Sequence, residues 1–285
     1  MTRALWLLMA MTACGGSDPV DRPTTFGGDR PVTLQVPANL ENGKTYPLIV
    51  VLHGYGATGL IQKAYFQVSG LPAANEAFVL APDGLVDAAN KQFWNADPSC
   101  CDFDHQNPDD VGYIGGLIDD VLATWPVDHG AVFVLGHSNG GFMAYRMACE
   151  RADVIAAIGV LAGDASSMPA ACQPSRTVNV LHMHGTADVV VPYDTSTGTV
   201  SGLGAEGSVL QWAGHNGCGT TRTAVADYDL DSAVVGPETH ASTTTGCPAG
   251  GAVDLWSLEG SGHIPVLTPE FPTRLVQWLS DHRRS

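Results

Sequence analysis

Basic residues are scarce in this chain. Of 285 residues, 13 are lysine or arginine and 29 are aspartate or glutamate, for a formal net charge of −16 at pH 7. A surface this acidic repels nucleic acid, anionic membranes and polyanionic substrates at long range, so neutral ligands are the expected partners. Zinc-ligand spacing is missing among the cysteines and histidines, and no metal or organic cofactor is expected. An internal repeat, a second domain and a hydrophobic run long enough to span a bilayer are also missing. Hydrophobic residues, by contrast, make up 45% of the chain, enough for one sizeable core. The 33 glycines foretell long irregular loops.

The first residues read as a targeting signal rather than as part of the fold. Thr2-Arg3 is a short positive region, Ala4 to Met11 is apolar, and Met11-Thr12-Ala13-Cys14 has the form of a bacterial lipobox. The expectation is a signal peptide over 1–13, lipidation of Cys14, a mobile linker over 14–28 and a catalytic domain over 29–285. The protein is then exported, either as a cell-envelope lipoprotein or as a secreted protein; cleavage by an ordinary signal peptidase is the alternative. Membrane contact is expected only through the N-terminal lipid, and the protein is expected to be a monomer. With Cys14 set aside, six cysteines remain, an even number that in an oxidising compartment points to disulfides. Cys218 with Cys247 is the first expectation, because the two flank one extra segment. Cys149 with Cys172 would tie the end of a helix to the loop after the next strand and leave Cys100 and Cys101 as an adjacent pair. Alternatively one of these two reaches Cys149 or Cys172.

Apolar runs of strand length alternate with helical periodicity along the chain. Strands are expected at Val32–Val36 (an edge), Leu48–Leu52, Ala77–Ala81, Val154–Leu161, Val178–Met183, Thr223–Tyr228 and Val253–Leu258. Helices are expected at 62–75, 111–125, around Val209–Trp212, and at 269–282. The alternation argues for an α/β fold with a mostly parallel sheet and helices on both faces. From Gly84 to Asp110 there is little periodicity, which marks a long functional loop at a strand end. Asp109 and Asp110, just before a helix, read as an N-cap and a dipole partner rather than as metal ligands. Asp229 to Gly246 reads as a local insertion.

The stretch from Ala131 to Tyr145 carries the chemistry. An apolar run tightens into Gly136-His137-Ser138-Asn139-Gly140 and continues as a helix. This is the G-x-S-x-G pattern in the strand–turn–helix context that exposes a nucleophilic serine. A serine hydroxyl needs a base, and the base needs an orienting carboxylate. Downstream, Asp188 follows a buried strand in His184-Gly185-Thr186-Ala187-Asp188, with Asp164 as competitor, and His263 lies in the loop Gly260-Ser261-Gly262-His263. The order Ser138, Asp188, His263 is the one expected for this kind of site. The amides of Asn139 and Tyr55 are the expected oxyanion donors. His53 is expected to shape the Tyr55 loop, and His137 to point away from the nucleophile. Trp94 is either a cleft wall or a core aromatic.

Taken together, Leu52-His53-Gly54, Ala81-Pro82-Asp83-Gly84, Trp94-Asn95 with Cys100-Cys101, Asp109-Asp110-Val111-Gly112, the serine pentad, the Asp188 motif with Val191-Pro192-Tyr193, and the His263 loop form an ordered set. The set resembles the secreted polyhydroxybutyrate depolymerase and feruloyl esterase-like branch of the α/β-hydrolases, from about residue 30 to the C-terminus. The resemblance implies an α/β-hydrolase fold and a serine esterase with Ser138, Asp188 and His263 as the triad. The implied substrates are polyesters or the feruloyl and acetyl esters of plant polysaccharides. Ile264-Pro265 stands where such proteins often carry Trp-Pro, and Tyr55 stands where many have a small residue. Tyr55, Ile264 and Trp94 are therefore the positions expected to set substrate choice. A peptidase or acyltransferase on the same fold, or a surface binding protein that kept the fold, are the alternatives.

Overall fold

The computed structural model describes residues 22–74, 76–166, 168, 172–194 and 202–284. The expected signal peptide over 1–13, Cys14 and the first part of the linker lie outside the described residues. In chain order the elements are β1 (Thr25–Phe26), β2 (Val32–Thr33), β3 (Tyr46–Leu52), α1 (Gly59–Tyr65), β4 (Phe78–Leu80), β5 (Leu85–Val86), β6 (Gln92–Phe93) and α2 (Asp110–Thr124). Then follow β7 (Val127–His137), α3 (Asn139–Glu150), β8 (Ala157–Leu161), β9 (Asn179–Gly185), α4 (Gly204–Asn216), β10 (Arg222–Tyr228), β11 (Thr239–Thr244), β12 (Val253–Leu258) and α5 (Glu270–Asp281). Among the described residues no helix is long and apolar enough to cross a membrane.

Eight strands form one sheet in the order β10-β11-β12-β9-β8-β7-β3-β4. From β12 to β4 every neighbouring pair is parallel. The inner strands read as unbroken apolar runs because both of their faces are covered. Along β3, Leu48, Val50 and Leu52 enter one core with α2, α3 and α4, while Ile49 and Val51 enter the other with α5. On β7, Val132 and Val134 take the first side, and Ala131, Phe133 and Leu135 the second. A one-residue slip would exchange the two sets, so the register is strongly specified.

Some expectations needed correction. The stretch from Asp229 to Gly246 is not simply an insertion. Its second half is β11, which pairs antiparallel with β10 and β12 and extends the sheet. Thr239-His240-Ala241-Ser242-Thr243-Thr244 hides this role because it is polar, as suits a strand outside the doubly covered centre. Of the expected first strand, Val32–Thr33 pairs with β1, and Gln35 reaches the edge of the main sheet through a single antiparallel bridge to Val79 of β4. The end of the expected linker belongs to the domain: Phe26 is buried, and the Trp125 indole donates to the Pro23 carbonyl at 2.9 Å. The long loop after β4 contains the short hairpin β5–β6. The six cysteines pair as Cys100–Cys101, Cys149–Cys172 and Cys218–Cys247.

Candidate active site

Five neighbouring parallel strands end along one edge of the sheet. The pairs Leu52↔Gly136, His137↔Leu161, Leu161↔Met183 and Leu258↔Gly185 set these ends side by side. Their following loops carry Tyr55, Ser138, Asp164, Asp188 and His263. This is the carboxyl edge, where open α/β sheets gather their ligands.

Ser138 sits between β7 and α3 with φ 53° and ψ −122°, a conformation that L-residues rarely occupy. The tightness of the turn explains its glycines. A Cβ on Gly136 would lie 2.0 Å from the Gly140 carbonyl oxygen, and one on Gly140 would lie 2.2 Å from that of Leu52. Both obstacles are backbone, α3 in the first case and β3 in the second, so neither position tolerates a side chain without displacing main chain.

The hydroxyl of Ser138 is 2.9 Å from His263 Nε2, and His263 Nδ1 is 2.7 Å from Asp188 Oδ2. The other carboxylate oxygen of Asp188 accepts from the amides of Val190 at 2.8 Å and Val191 at 3.0 Å. Burial would push the Asp188 carboxyl up. Hydrogen bonds from His184 and His263, the His263 charge and the Val190 amide outweigh it and hold the group below the ordinary carboxylate range. Asp188 therefore stays ionised wherever His263 can act as a base. The competitor Asp164 is taken up elsewhere: its Oδ2 accepts from the Gly204 amide at 3.1 Å. Burial pushes its carboxyl up to about 6.

The His263 loop is stapled to the acid loop. Ala187 N–H donates to Ser261 O at 3.0 Å, and Gly260 N–H donates to Thr186 Oγ1 at 2.8 Å. A third tie corrects the expectation for His137. Its ring does not point away from the site; Nε2–H donates to the His263 carbonyl at 2.9 Å, and the two imidazole rings are 5.1 Å apart. Burial and the neighbouring His263 lower the His137 pKa to about 4, so it remains a neutral brace. Tyr65 braces the next residues by donating to Pro265 O at 2.8 Å.

The Tyr55 loop lies against the serine. A Cβ at Gly54 would be 3.4 Å from Ser138 Cβ. The Tyr55 amide has no hydrogen-bond partner among the described residues. The Asn139 amide, first in α3, is one of the donors that a helix leaves unpaired at its start. His53 fixes the loop from beneath: Gly84 N–H donates to His53 Nε2 at 2.9 Å, so Nδ1 carries the proton and donates to Gly54 O at 2.8 Å.

Of the residues expected to set substrate choice, two are at the surface and one is not. Ile264 is exposed, and Tyr55 is partly exposed with its ring edge-on to Phe103 at 5.3 Å. The Tyr55 hydroxyl is hydrogen-bonded to Asp87, which pushes its pKa up to about 12. Trp94, in contrast, is fully buried, and its indole donates to His53 O at 3.0 Å. It is a core aromatic beneath the loop, not a cleft wall. The Asn139 side chain holds the same loop by accepting from Trp94 N at 2.7 Å and donating to Trp94 O at 3.0 Å. A cavity of about 620 Å³ runs along α3, with Phe142, Tyr145, Phe103 and Asp97 in its wall; Ser138, His263 and Asp188 do not line it.

Among the described residues, Asp164, His182 and His184 bring potential metal-ligand atoms within 4.8 Å of one another. The histidine nitrogens are already engaged. Tyr145 Oη is 2.7 Å from His182 Nδ1, His182 Nε2 is 3.0 Å from His184 Nδ1, and His184 Nε2 is 2.8 Å from Val191 O. The His182 lone pair is taken by the Tyr145 hydroxyl and the His184 lone pair by the His182 N–H, so this set does not fit a cation as it stands.

The profile of the phospholipase/carboxylesterase family matches residues 39–205. A protein of Nocardia uniformis subsp. tsuyamanensis named as an esterase is 34% identical over 148 residues, which is 52% of this chain and 42% of that protein. Feruloyl esterase B of Piromyces equi is 27% identical over 243 residues, 82% of this chain and 42% of that enzyme. The chain thus spans less than half the length of these two relatives. Among solved structures, an acetyl xylan esterase from Aspergillus awamori superposes with a TM-score of 0.59 at 17% identity, over 88% of this chain and 93% of the other. That likeness is one of fold.

Proposed function

Because the chain belongs to the phospholipase/carboxylesterase family of α/β-hydrolases, we propose that it is a serine carboxylic ester hydrolase working through an acyl-enzyme. The observation that carries this reading is the continuous row from Ser138 Oγ through His263 to Asp188, with contacts of 2.9 Å and 2.7 Å. Ser138 attacks the ester carbonyl while His263 Nε2 takes its proton and then passes it to the leaving alcohol. Asp188 keeps the proton of His263 on Nδ1 and stabilises the imidazolium. The amides of Asn139 and Tyr55 hold the oxyanion. Water then releases the acid by the same route.

The substrate class favoured by the named relatives is the feruloyl or acetyl ester of a plant polysaccharide. Hydroxyalkanoate polyesters are the second reading. The observation in its favour is the exposed apolar residues Val189, Val190, Ile264 and Val266, which flank Asp188 and His263 and would suit a water-poor polymer surface. A panel of p-nitrophenyl acetate, methyl ferulate, acetylated xylan, hydroxybutyrate oligomer and a peptide amide separates these. Turnover of the esters and not of the amide is expected. Cleavage of the amide alone would make the protein a peptidase, and inertness toward all five would favour a binding role.

The exported location belongs to the same proposal. Three disulfides in the described residues suit an oxidising compartment. Residues 1–13 are then removed and Cys14 carries a lipid that anchors the protein to the cell envelope. Mass spectrometry of the mature N-terminus is expected to show a lipid-modified Cys14 as the first residue. An unmodified Cys14 would leave a secreted, unanchored protein.

A further inference from the structure

Behind Asp188 lies a buried hydrogen-bonded chain that the proposed chemistry does not use: Tyr145 on α3, then His182 and His184 on β9. All three side chains are buried. The direction of the chain follows from its far end. The Val191 carbonyl can only accept, so His184 Nε2 carries the proton that bonds it at 2.8 Å. With that proton on Nε2, Nδ1 is the ring nitrogen that accepts, and it takes the His182 Nε2–H at 3.0 Å. That leaves His182 Nδ1 bare, to accept the Tyr145 hydroxyl proton at 2.7 Å. Burial keeps His182 neutral and the Tyr145 hydroxyl protonated. Each donor is therefore set by the next partner, and the tautomers of both histidines are fixed by one backbone carbonyl.

The same His184 Nε2–H lies 3.4 Å from Asp188 Oδ2, the oxygen that receives His263. Neighbouring groups leave His184 little freedom. Tyr193 packs edge-on against its ring at 5.8 Å, and Asp164 approaches from the loop after β8. Asp188 is thus held on one oxygen by two backbone amides and on the other by His263 at 2.7 Å, with the His184 ring standing 3.4 Å from that second oxygen. The His184 ring is anchored, through His182 and Tyr145, to the helix that Ser138 begins.

We propose that His184 is a positioning residue for Asp188, with its tautomer set by the Val191 carbonyl and its ring anchored through His182 and Tyr145, so that the acid loop is held in register with the serine helix. The proposal rests on the reading of Asp188 as the acid of a serine esterase. A carboxylate that turns even slightly away leaves His263 misaligned, and misplacement of about 1 Å can cost about 100-fold in rate.

Two substitutions separate positioning from mere packing. His184→Leu fills the space without a donor. His184→Gln keeps an N–H directed at Val191 O and a carbonyl that can accept from His182. On an ester that the wild type hydrolyses, His184→Leu is expected to lower kcat about 10- to 100-fold with KM nearly unchanged. His184→Gln is expected to recover most of that loss. Equal losses in the two variants, or a loss carried by KM, would overturn the proposal, while an active wild type would leave the esterase reading standing. A spectroscopic arm does not depend on turnover or on the folding of the leucine variant. In ¹⁵N-histidine NMR at neutral pH, both His182 and His184 should be protonated at Nε2. Tyr145→Phe should leave both protons on Nε2, because the Val191 carbonyl sets the direction of the chain from its other end; a switch of His184 to Nδ1–H in that variant would count against the proposal. An Nδ1–H tautomer at His184 in the wild type would also overturn the proposal.

Discussion

Ser138→Ala should lose about four to six orders of magnitude in kcat for ester hydrolysis while folding normally. The loss follows from the role: without Oγ no acyl-enzyme can form, and only the oxyanion amides and binding are left to accelerate attack by water. Normal folding follows from the contacts. Among the described residues the Ser138 hydroxyl has one hydrogen-bond partner, His263, and alanine keeps the Cβ that already occupies the φ 53° turn. No core contact or buried network is removed, so the change in stability should stay within about 1 kcal/mol. The check is kcat on p-nitrophenyl acetate beside a thermal melt. Retention of more than about a hundredth of the wild-type rate, far above the residual rate expected without the nucleophile, would remove Ser138 from the mechanism.

Asp188→Asn should cost about 10⁴-fold in kcat with little change in substrate binding. The size rests on which way the new amide must face. The Val190 and Val191 amides hold Oδ1 and offer only donors, so the asparagine carbonyl has to stay there. Its NH₂ group then takes the place of Oδ2 and faces His263 Nδ1. An N–H aimed at that nitrogen forces the His263 proton onto Nε2, where it confronts the serine hydroxyl and cannot accept its proton. Asp164→Asn is the control. It leaves the Gly204 contact replaceable and should change kcat by less than about threefold, the scale of a group outside the reacting row. If the two variants lose activity alike, or Asp188→Asn stays within tenfold of wild type, the acid has been misassigned. Asp188 also bears on acid stability. Its folded-state pKa is depressed, so its contribution is present above the ordinary carboxylate value of 3.8 and is lost as pH falls toward the lower folded-state value.

The two kinds of residue in this site were unequally visible beforehand. Gly136 and Gly140 announce themselves because the turn has room for nothing larger, and Ser138 stands between them. The doubly buried strands β3 and β7 are legible because covering both faces leaves an unbroken apolar run. β11 was not, because a polar strand outside that covered centre resembles a loop in composition. Trp94 was left undecided, since a tryptophan before a long loop can line a cleft or fill a core. Only the bonds to His53 and Asn139 resolve it. The partners of His137, His182 and His184 are not legible in the sequence, because a histidine in or beside a strand carries no sign of them.

The serine pentad, the chain order of Ser138, Asp188 and His263, and the α/β alternation were determined by the sequence itself. They depend on local sterics and on periodicity, which neighbouring residues encode. The tertiary structure alone decided which buried groups serve the row. His137 bracing the His263 loop, Asn139 holding Trp94, and the one-way chain from Tyr145 to His184 join residues that are 2 to 126 positions apart. A hydrogen bond depends on distance and direction in space, and those exist only once the strands have been set side by side.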